Sequence, residues 1–451
     1  MKATAKNAAP RGLFASAGLV GARLAGAAIG LFTQLLLARL LAPEALGIFF
    51  FATSLAAVLG MVAAFGYPSI AVRFVSRYRV RGATDLAGSF VRQARRDAGQ
   101  ISALVALLVL GGAWALPGLS GETRWAASLA ALSIPAIAIS RVNGGLANGA
   151  RRFGLAFLPE LLIRPALFVL LIAGAAGLGL PLSAAVATAL LSLVIVLLAA
   201  GQALKLQPLL PHQRLARPRR RLTRSWRRLA WPLSIVALVT SLFADLDLVL
   251  LGPFLPAEEL AVFGICLKLS FLVGFVVQAV HQVASPDLAD AHASRDSGAT
   301  ARALRRCNLL ATGAAAAIFL ATLAGGAQVL QLFGEAFVAG YPALVLLVGA
   351  QVLRAAAGPA VPLMTLIGGQ GRVLRIALLL ILTLIIGNAA LAPTFGTTGA
   401  ALAVVVAFLV WTGALALALH RRSGLRADVL ASLTAFAGAA SDRRNPLAKG
   451  A

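Results

Sequence analysis

The chemistry open to this chain rests on a few charged side chains set inside long apolar runs. Arg23 lies in the run 12–38, Lys268 in 258–284 and Arg354 in 341–367, while Asp245 and Asp247 fall late in 229–251. A charge at mid-span costs about 2.5–3.5 kcal/mol on the insertion scale, so such residues normally face a protein interior or a watery cavity and carry function. Amides accompany the bases. Gln34 follows Arg23 by three helical turns and shares its face. Gln278 and Gln282 fall within about 80° of Lys268 on a helical wheel, whereas His281 falls on another side. Gln351 precedes Arg354 by one turn. Bases drawn from both halves of the chain around one cavity would grip a phosphate or pyrophosphate through charge-assisted hydrogen bonds. The competing reading is that each base neutralises a buried acid or snorkels to the interface.

Asp245 and Asp247, two residues apart on a helix, point to nearly opposite faces, so at most one faces a cavity. A carboxylate in a low-dielectric site can carry a proton, which makes the pair the candidate for ion coupling; a structural salt bridge to Lys268 or Arg23 is the alternative. Glu160 and Arg164 are spaced i,i+4 and read as a mutually neutralising pair in a helix bent by Pro159 and Pro165. Arg141 and Asn143 lie near a helix end, where snorkelling costs little. No Walker A motif, nucleophile elbow or metal-ligand spacing occurs, and the histidines at 212, 281, 292 and 420 are scattered. Cys266 and Cys307 form no disulfide framework. The sequence therefore predicts no catalytic residue, no metal and no cofactor, with proton or sodium coupling left open.

The elements that must hold these residues are membrane helices. The chain is 60% hydrophobic and 12% charged, against about 25% charged in soluble domains. Its apolar runs are about 20 residues long, enough to cross a hydrocarbon core of about 30 Å, and they lack the alternation of barrel strands. Twelve helices are expected, at roughly 12–38, 46–70, 99–117, 124–146, 155–178, 182–204, 229–251, 258–284, 304–325, 341–367, 373–393 and 396–420. The N-terminal run is too long for a signal-peptide core and reads as a retained first span. The net charge of +25 would suggest nucleic acid in a soluble chain. Here it marks topology instead: with the N-terminus in the cytoplasm, 33 of the 40 basic residues fall in cytoplasmic segments and only Arg39 and Arg124 in the opposite loops. That bias places both termini inside.

An internal repeat divides the chain. LLAPEALGIFF at 40–50 matches FLPAEELAVFG at 254–264, SAAVA at 183–187 matches GAALA at 399–403, and Tyr67-Pro68 matches Ser285-Pro286, all at offsets between 214 and 218. Two six-helix lobes follow, related by a pseudo-two-fold axis along the membrane normal. The lobes span 1–204 and 229–420, joined by a basic cytoplasmic linker at 205–228 and followed by a cytoplasmic tail at 421–451. The linker, with Trp226 among arginines, reads as a segment lying on anionic membrane lipid or as plain topological anchoring.

The stretches LLLARLLAPEALGIFFFATSL, GYPSIAVRFVSRY, DLDLVLLGPFLPAEELAVFGICLKL, VASPDLADAH and FGTTGAALA resemble the polysaccharide-exporter branch of the multidrug/oligosaccharidyl-lipid/polysaccharide (MOP) flippase superfamily, which includes O-antigen flippases. The resemblance covers nearly the whole chain. It implies two six-helix bundles around a central cavity, alternating access, and passage of an undecaprenyl-diphosphate-linked glycan from the cytoplasmic to the periplasmic leaflet of a bacterial inner membrane. It also implies that basic cavity residues hold the diphosphate, which Arg23, Lys268 and Arg354 could do. A polysaccharide polymerase or ligase would be a partner; nucleic acid would not. A drug/cation antiporter of the same fold, which would need acidic cavity residues, and a non-transporting scaffold of a glycan-assembly complex are the alternatives.

Overall fold

A computed structural model describes residues 9–207, 220–293, 297–366, 368–423 and 428–429. Every regular element among them is helical. Two compact units divide at Val249 and Leu250.

The first unit carries α1 (Ala9–Leu40), α2 (Pro43–Ala63), α3 (Tyr67–Val80), α4 (Thr84–Ala115), α5 (Gly121–Gly149), α6 (Phe153–Leu158), α7 (Arg164–Gly177), α8 (Ala184–Leu206), α9 (Arg220–Ser241) and most of α10 (Phe243–Leu251). A single π-helical turn, Pro159–Ile163, joins α6 to α7. Where the sequence suggests a bend, the helix carries one wide turn that begins at Pro159 and ends just before Pro165. The helix expected at 46–70 breaks at Phe65 and Gly66, both with positive φ, and restarts at Tyr67. Gly66 is required there: a Cβ would collide with the carbonyl oxygen of Ala230 on α9. α4 begins well before the expected 99, because the charged stretch 84–98 is an amphipathic helix that buries Ala87, Phe90, Val91, Ala94 and Ala98.

α9 belongs with this unit. Trp226 is only 1% exposed, in a core shared with Tyr67, Phe90, Val142 and Leu146. Its ring meets Phe90 edge-on at 5.3 Å, and its Nε1 donates to Tyr78 Oη at 3.2 Å. This corrects the expectation of a membrane-edge tryptophan: the indole faces inward. Beside it, Arg227 donates from Nε and Nη2 to Asp97 of α4 at 2.9 and 2.6 Å. Asp97 also accepts from Tyr67 Oη at 2.6 Å and from Gln93 Nε2 at 2.8 Å. Four donors thus satisfy one nearly buried carboxylate. α9 and α10 meet at a bend of 85°. The basic stretch 208–219 lies outside the described residues.

The second unit carries α11 (Ala257–Ala293), α12 (Ser297–Phe333), a 3₁₀ segment (Glu335–Gly340), α13 (Tyr341–Ala356), α14 (Ala360–Leu366) and α15 (Gln370–Ser423). The segment expected at 341–367 is broken at Ala357–Pro359 into α13 and α14. α15 is two helices that meet at a sharp kink. Gly396 has non-helical angles of 56° and −137°, and Gly387 lies against Ala403 while Gly399 lies against Leu391. Those pairings run antiparallel about the kink, so α15 is a hairpin of two arms matching the expected 373–393 and 396–420.

By length and composition, nine helices among the described residues can cross a membrane, or ten if the bent pair α9 and α10 is one span. That count takes all of α15 as one and leaves out the 16-residue apolar stretch of α1, Ala25–Leu40. The number twelve is thus an expectation from the sequence, while the all-α, multi-pass architecture is what the chain adopts. One of the repeat's sequence matches has a counterpart in local structure. α2 starts at Pro43 and α11 at Ala257, the same offset of 214 as the matched sequences, each with glutamate in its first turn, where a negative charge favours the helix dipole.

Candidate functional site

The intramembrane charges are distributed over both units, and each unit is described by itself. In the first, α1 carries Arg23, whose side chain lies outside the described residues, and Gln34, which is half-buried. Asp245 on α10 is half-buried and accepts a hydrogen bond from Ser54 Oγ of α2 at 2.9 Å. Asp247 is fully buried. The two aspartates therefore occupy different environments, as their spacing requires.

Arg141 does not snorkel. Its Nε lies 3.2 Å from Glu160 Oε1, and Arg164 Nη1 approaches the same oxygen at 3.8 Å. Glu160 sits on the π turn, which re-aims it from the α6 and α7 axis toward α5; such turns recur at functional sites. α1 packs on the turn at Gly26, where a Cβ would strike the carbonyl oxygen of Leu161. The salt bridge borders a cavity of about 320 Å³ whose polar lining includes Ser69, Ser140, Asn148 and Gln202. Gln202 is held in place, accepting from Ser140 Oγ at 3.0 Å and donating to the Leu155 carbonyl at 2.8 Å. Asn143 is fully buried and accepts from Arg95 Nε at 2.9 Å. The sequence reading missed this cavity. Its signal was the recurrence of Ser, Asn and Gln in helices otherwise built of Leu, Ala and Val.

In the second unit, Lys268 on α11 is half-buried, Gln278 is exposed, and the side chain of Gln282 lies outside the described residues. Arg354 on α13 is half-buried and packs against α11 at Gly274. A Cβ there would lie 2.8 Å from Gln351 Oε1 and 3.3 Å from Arg354 Nη2. Gly274, Gln278 and His281 share one face of α11 to within about 60°, at about 100° per residue, and His281 is within electrostatic reach of Arg354. Gln351 is 2% exposed, and neither its Oε1 nor His281 Nε2 has a hydrogen-bond partner among the described residues. Arg354 thus has a buried amide and an imidazole for neighbours, and its guanidinium N–H groups are the donors that an anion would use. His281, set aside by its angle to Lys268, belongs to the Arg354 face instead. No group of three or more His, Cys, Asp or Glu among the described residues could hold a metal.

The fold is the one seen in solved structures of MOP-superfamily transporters. The chain superposes on lipid II flippase MurJ in an inward closed conformation with a TM-score of 0.72 and 15% identity, over 88% of this chain and 86% of that one. An inward-facing multidrug-resistance MATE transporter gives 0.70 and 16% identity, over 87% and 93%. A MOP transporter from Pyrococcus furiosus, reported with reversed binding-pocket polarity, gives 0.59 and 18%, over 89% and 93%. Residues 16–292 match the polysaccharide biosynthesis protein family, more than half of the chain, and the chain belongs to that family. No curated protein matches the sequence.

Proposed function

We propose that this chain flips a polyprenyl-diphosphate-linked oligosaccharide repeat unit from the cytoplasmic to the periplasmic leaflet of a bacterial inner membrane, for O-antigen or exopolysaccharide assembly. Alternating access between two lobes would move it, with both termini cytoplasmic. The family supplies the glycan context, and a flippase of lipid II shares the fold. The observation that carries the reading is Arg354, an arginine half-buried in an apolar helix beside Gln351 and His281. Such a group accommodates a diphosphate and disfavours a cationic drug. Arg23 and Lys268 extend the basic set, with Gln34, Gln278 and Gln282 as hydrogen-bonding partners. Asp245 and Asp247 remain the candidates for ion coupling.

Reconstitution into vesicles tests this. A fluorescent undecaprenyl-diphosphate oligosaccharide should cross the bilayer at a rate that Arg354→Ala lowers at least tenfold while the protein stays monodisperse. Transport equal to wild type in Arg354→Ala would remove the site assignment. No movement in any reconstitution, with a polymerase still bound, would favour the scaffold reading.

A further inference from the structure

A second basic site, apart from the residues assigned to the cargo, lies on α15. Arg372 and Arg375 from its first arm and Arg421 from its second line one cavity of about 340 Å³, floored by Ile376, Ala414 and Leu417. On a straight helix, residues 376 and 414 would be about 57 Å apart at 1.5 Å per residue. The turn at Gly396 brings them together. All three arginines are exposed, and none forms an ion pair among the described residues.

The surroundings define what this site can take. From Arg375, the residues at i+4, i+7 and i+11 are Leu379, Leu382 and Ile386, exposed by 43, 53 and 59%. They share one face of the first arm. Leu417, half-exposed, adds to the apolar side at the cavity itself. Three cations therefore sit at the head of an uncovered apolar track. A water-soluble anion would use the cations and leave the track bare, and a neutral lipid would use the track and leave the cations unpaired. A molecule with an anionic phosphodiester on acyl chains uses both. Basic pockets between membrane helices at a bilayer face bind such head groups.

We propose that the cavity between the two arms of α15 is a binding site for an anionic phospholipid of the bulk membrane. Arg372, Arg375 and Arg421 hold its phosphate, and an acyl chain lies along Leu379 and Leu382. A bound lipid would brace the two arms at the end opposite the kink.

Native mass spectrometry of the full-length chain in detergent tests the proposal, with phosphatidylglycerol, phosphatidylethanolamine, undecaprenyl phosphate and inorganic phosphate as separate probes. Phosphatidylglycerol should bind the wild type at least tenfold more tightly than phosphatidylethanolamine, and millimolar inorganic phosphate should not displace it. The double variant Arg375→Ala/Arg421→Ala should lose about 30-fold in phosphatidylglycerol affinity. Equal binding of the two phospholipids, or an unchanged affinity in the double variant, overturns the site. Tighter binding of undecaprenyl phosphate than of phosphatidylglycerol, lost in the same variant, overturns the bulk-lipid assignment in favour of a cargo-tail site. Should the variant fail to fold, a photoactivatable phosphatidylglycerol on the wild type decides: label on peptides 371–382 and 413–422 supports the site, and label only elsewhere refutes it. Flipping by Arg354→Ala is a separate readout, so loss of the cargo assignment would leave this result standing.

Discussion

Asp97 shows how this chain tolerates charge within its helices. Its carboxylate is 4% exposed yet receives Tyr67, Gln93 and both ends of the Arg227 guanidinium. Breaking a buried pair costs about 3–5 kcal/mol; here the Arg227 side chain is half-exposed, so water recovers part of the loss. Asp97→Ala should therefore destabilise the protein by about 2–3 kcal/mol, most of it from the orphaned Tyr67 hydroxyl and guanidinium. Arg227→Lys should cost less, because one bond survives. Unfolding in a denaturant series in detergent would measure both, and a loss under 0.5 kcal/mol for Asp97→Ala would mean that the network adds little. Gly274 offers a gentler probe at the proposed cargo site. A methyl group there presses on the movable ends of Gln351 and Arg354 rather than on backbone. Gly274→Ala should thus slow flipping about tenfold while changing stability by less than about 1 kcal/mol, with vesicle transport and thermal unfolding read on the same preparation. Of the residue-level reading, Arg354 with Gln351 was legible as a charge and an amide one turn apart. His281 and the pairing of Arg141 with Glu160 were not, because both depend on which faces of neighbouring helices meet. A helical wheel gives angles within one helix only.

At the scale of elements, hydropathy located the apolar centres of the helices and missed their ends. α4 and α11 extend well past the expected limits through stretches that carry charge; in α4 the extension is an amphipathic helix that continues outside the apolar run with one face packed. The sequence of α4 carried that signal in Ala87, Phe90, Val91 and Ala94, at spacings of three and four. Trp226 was misplaced for a related reason. Arginines on both sides suggested a membrane surface, but its indole is the largest fully buried side chain and packs in the first unit. The two readings differ measurably. Trp226→Ala should cost about 3–5 kcal/mol as a core deletion, whereas an interfacial anchor would cost far less. Gly399 makes a parallel point for α15. Its Cβ would meet the Leu391 carbonyl oxygen, so Gly399→Ala forces the hairpin arms apart and should cost about 1–3 kcal/mol. Insertion of the same methyl at Gly413, where no atom lies within 4 Å, is the control. Equal stability of the two variants would show that the arms do not depend on close approach at the kink.

For the whole molecule, the fold is shared with structures of both a lipid flippase and drug transporters, so shape alone does not choose a cargo; under the proposed function polarity would. A MOP transporter with a reversed pocket polarity shows the same fold with different charge inside it. In this chain the first-unit cavity carries one acid, Glu160, already shared by Arg141 and Arg164. A cation entering it would have to displace an arginine. In the second unit, Arg354 has Gln351 and His281 beside it and no carboxylate among the described residues placed there. Under the proposed function a cationic cargo would gain nothing at either place, whereas a diphosphate would gain charge-assisted bonds at Arg354. Competition should expose this asymmetry. A soluble short-chain prenyl diphosphate should inhibit flipping of the labelled glycolipid in vesicles, and a cationic dye at the same concentration should not. Arg354→Glu should abolish the inhibition and the flipping together, since it sets like charges against the cargo. Glu160→Gln tests the other unit. With its acid neutralised, two arginines are left facing each other, so diphosphate inhibition should persist while stability falls by about 1–3 kcal/mol. If the dye competes in the wild type and the prenyl diphosphate does not, the cargo is a cation and the polarity argument fails.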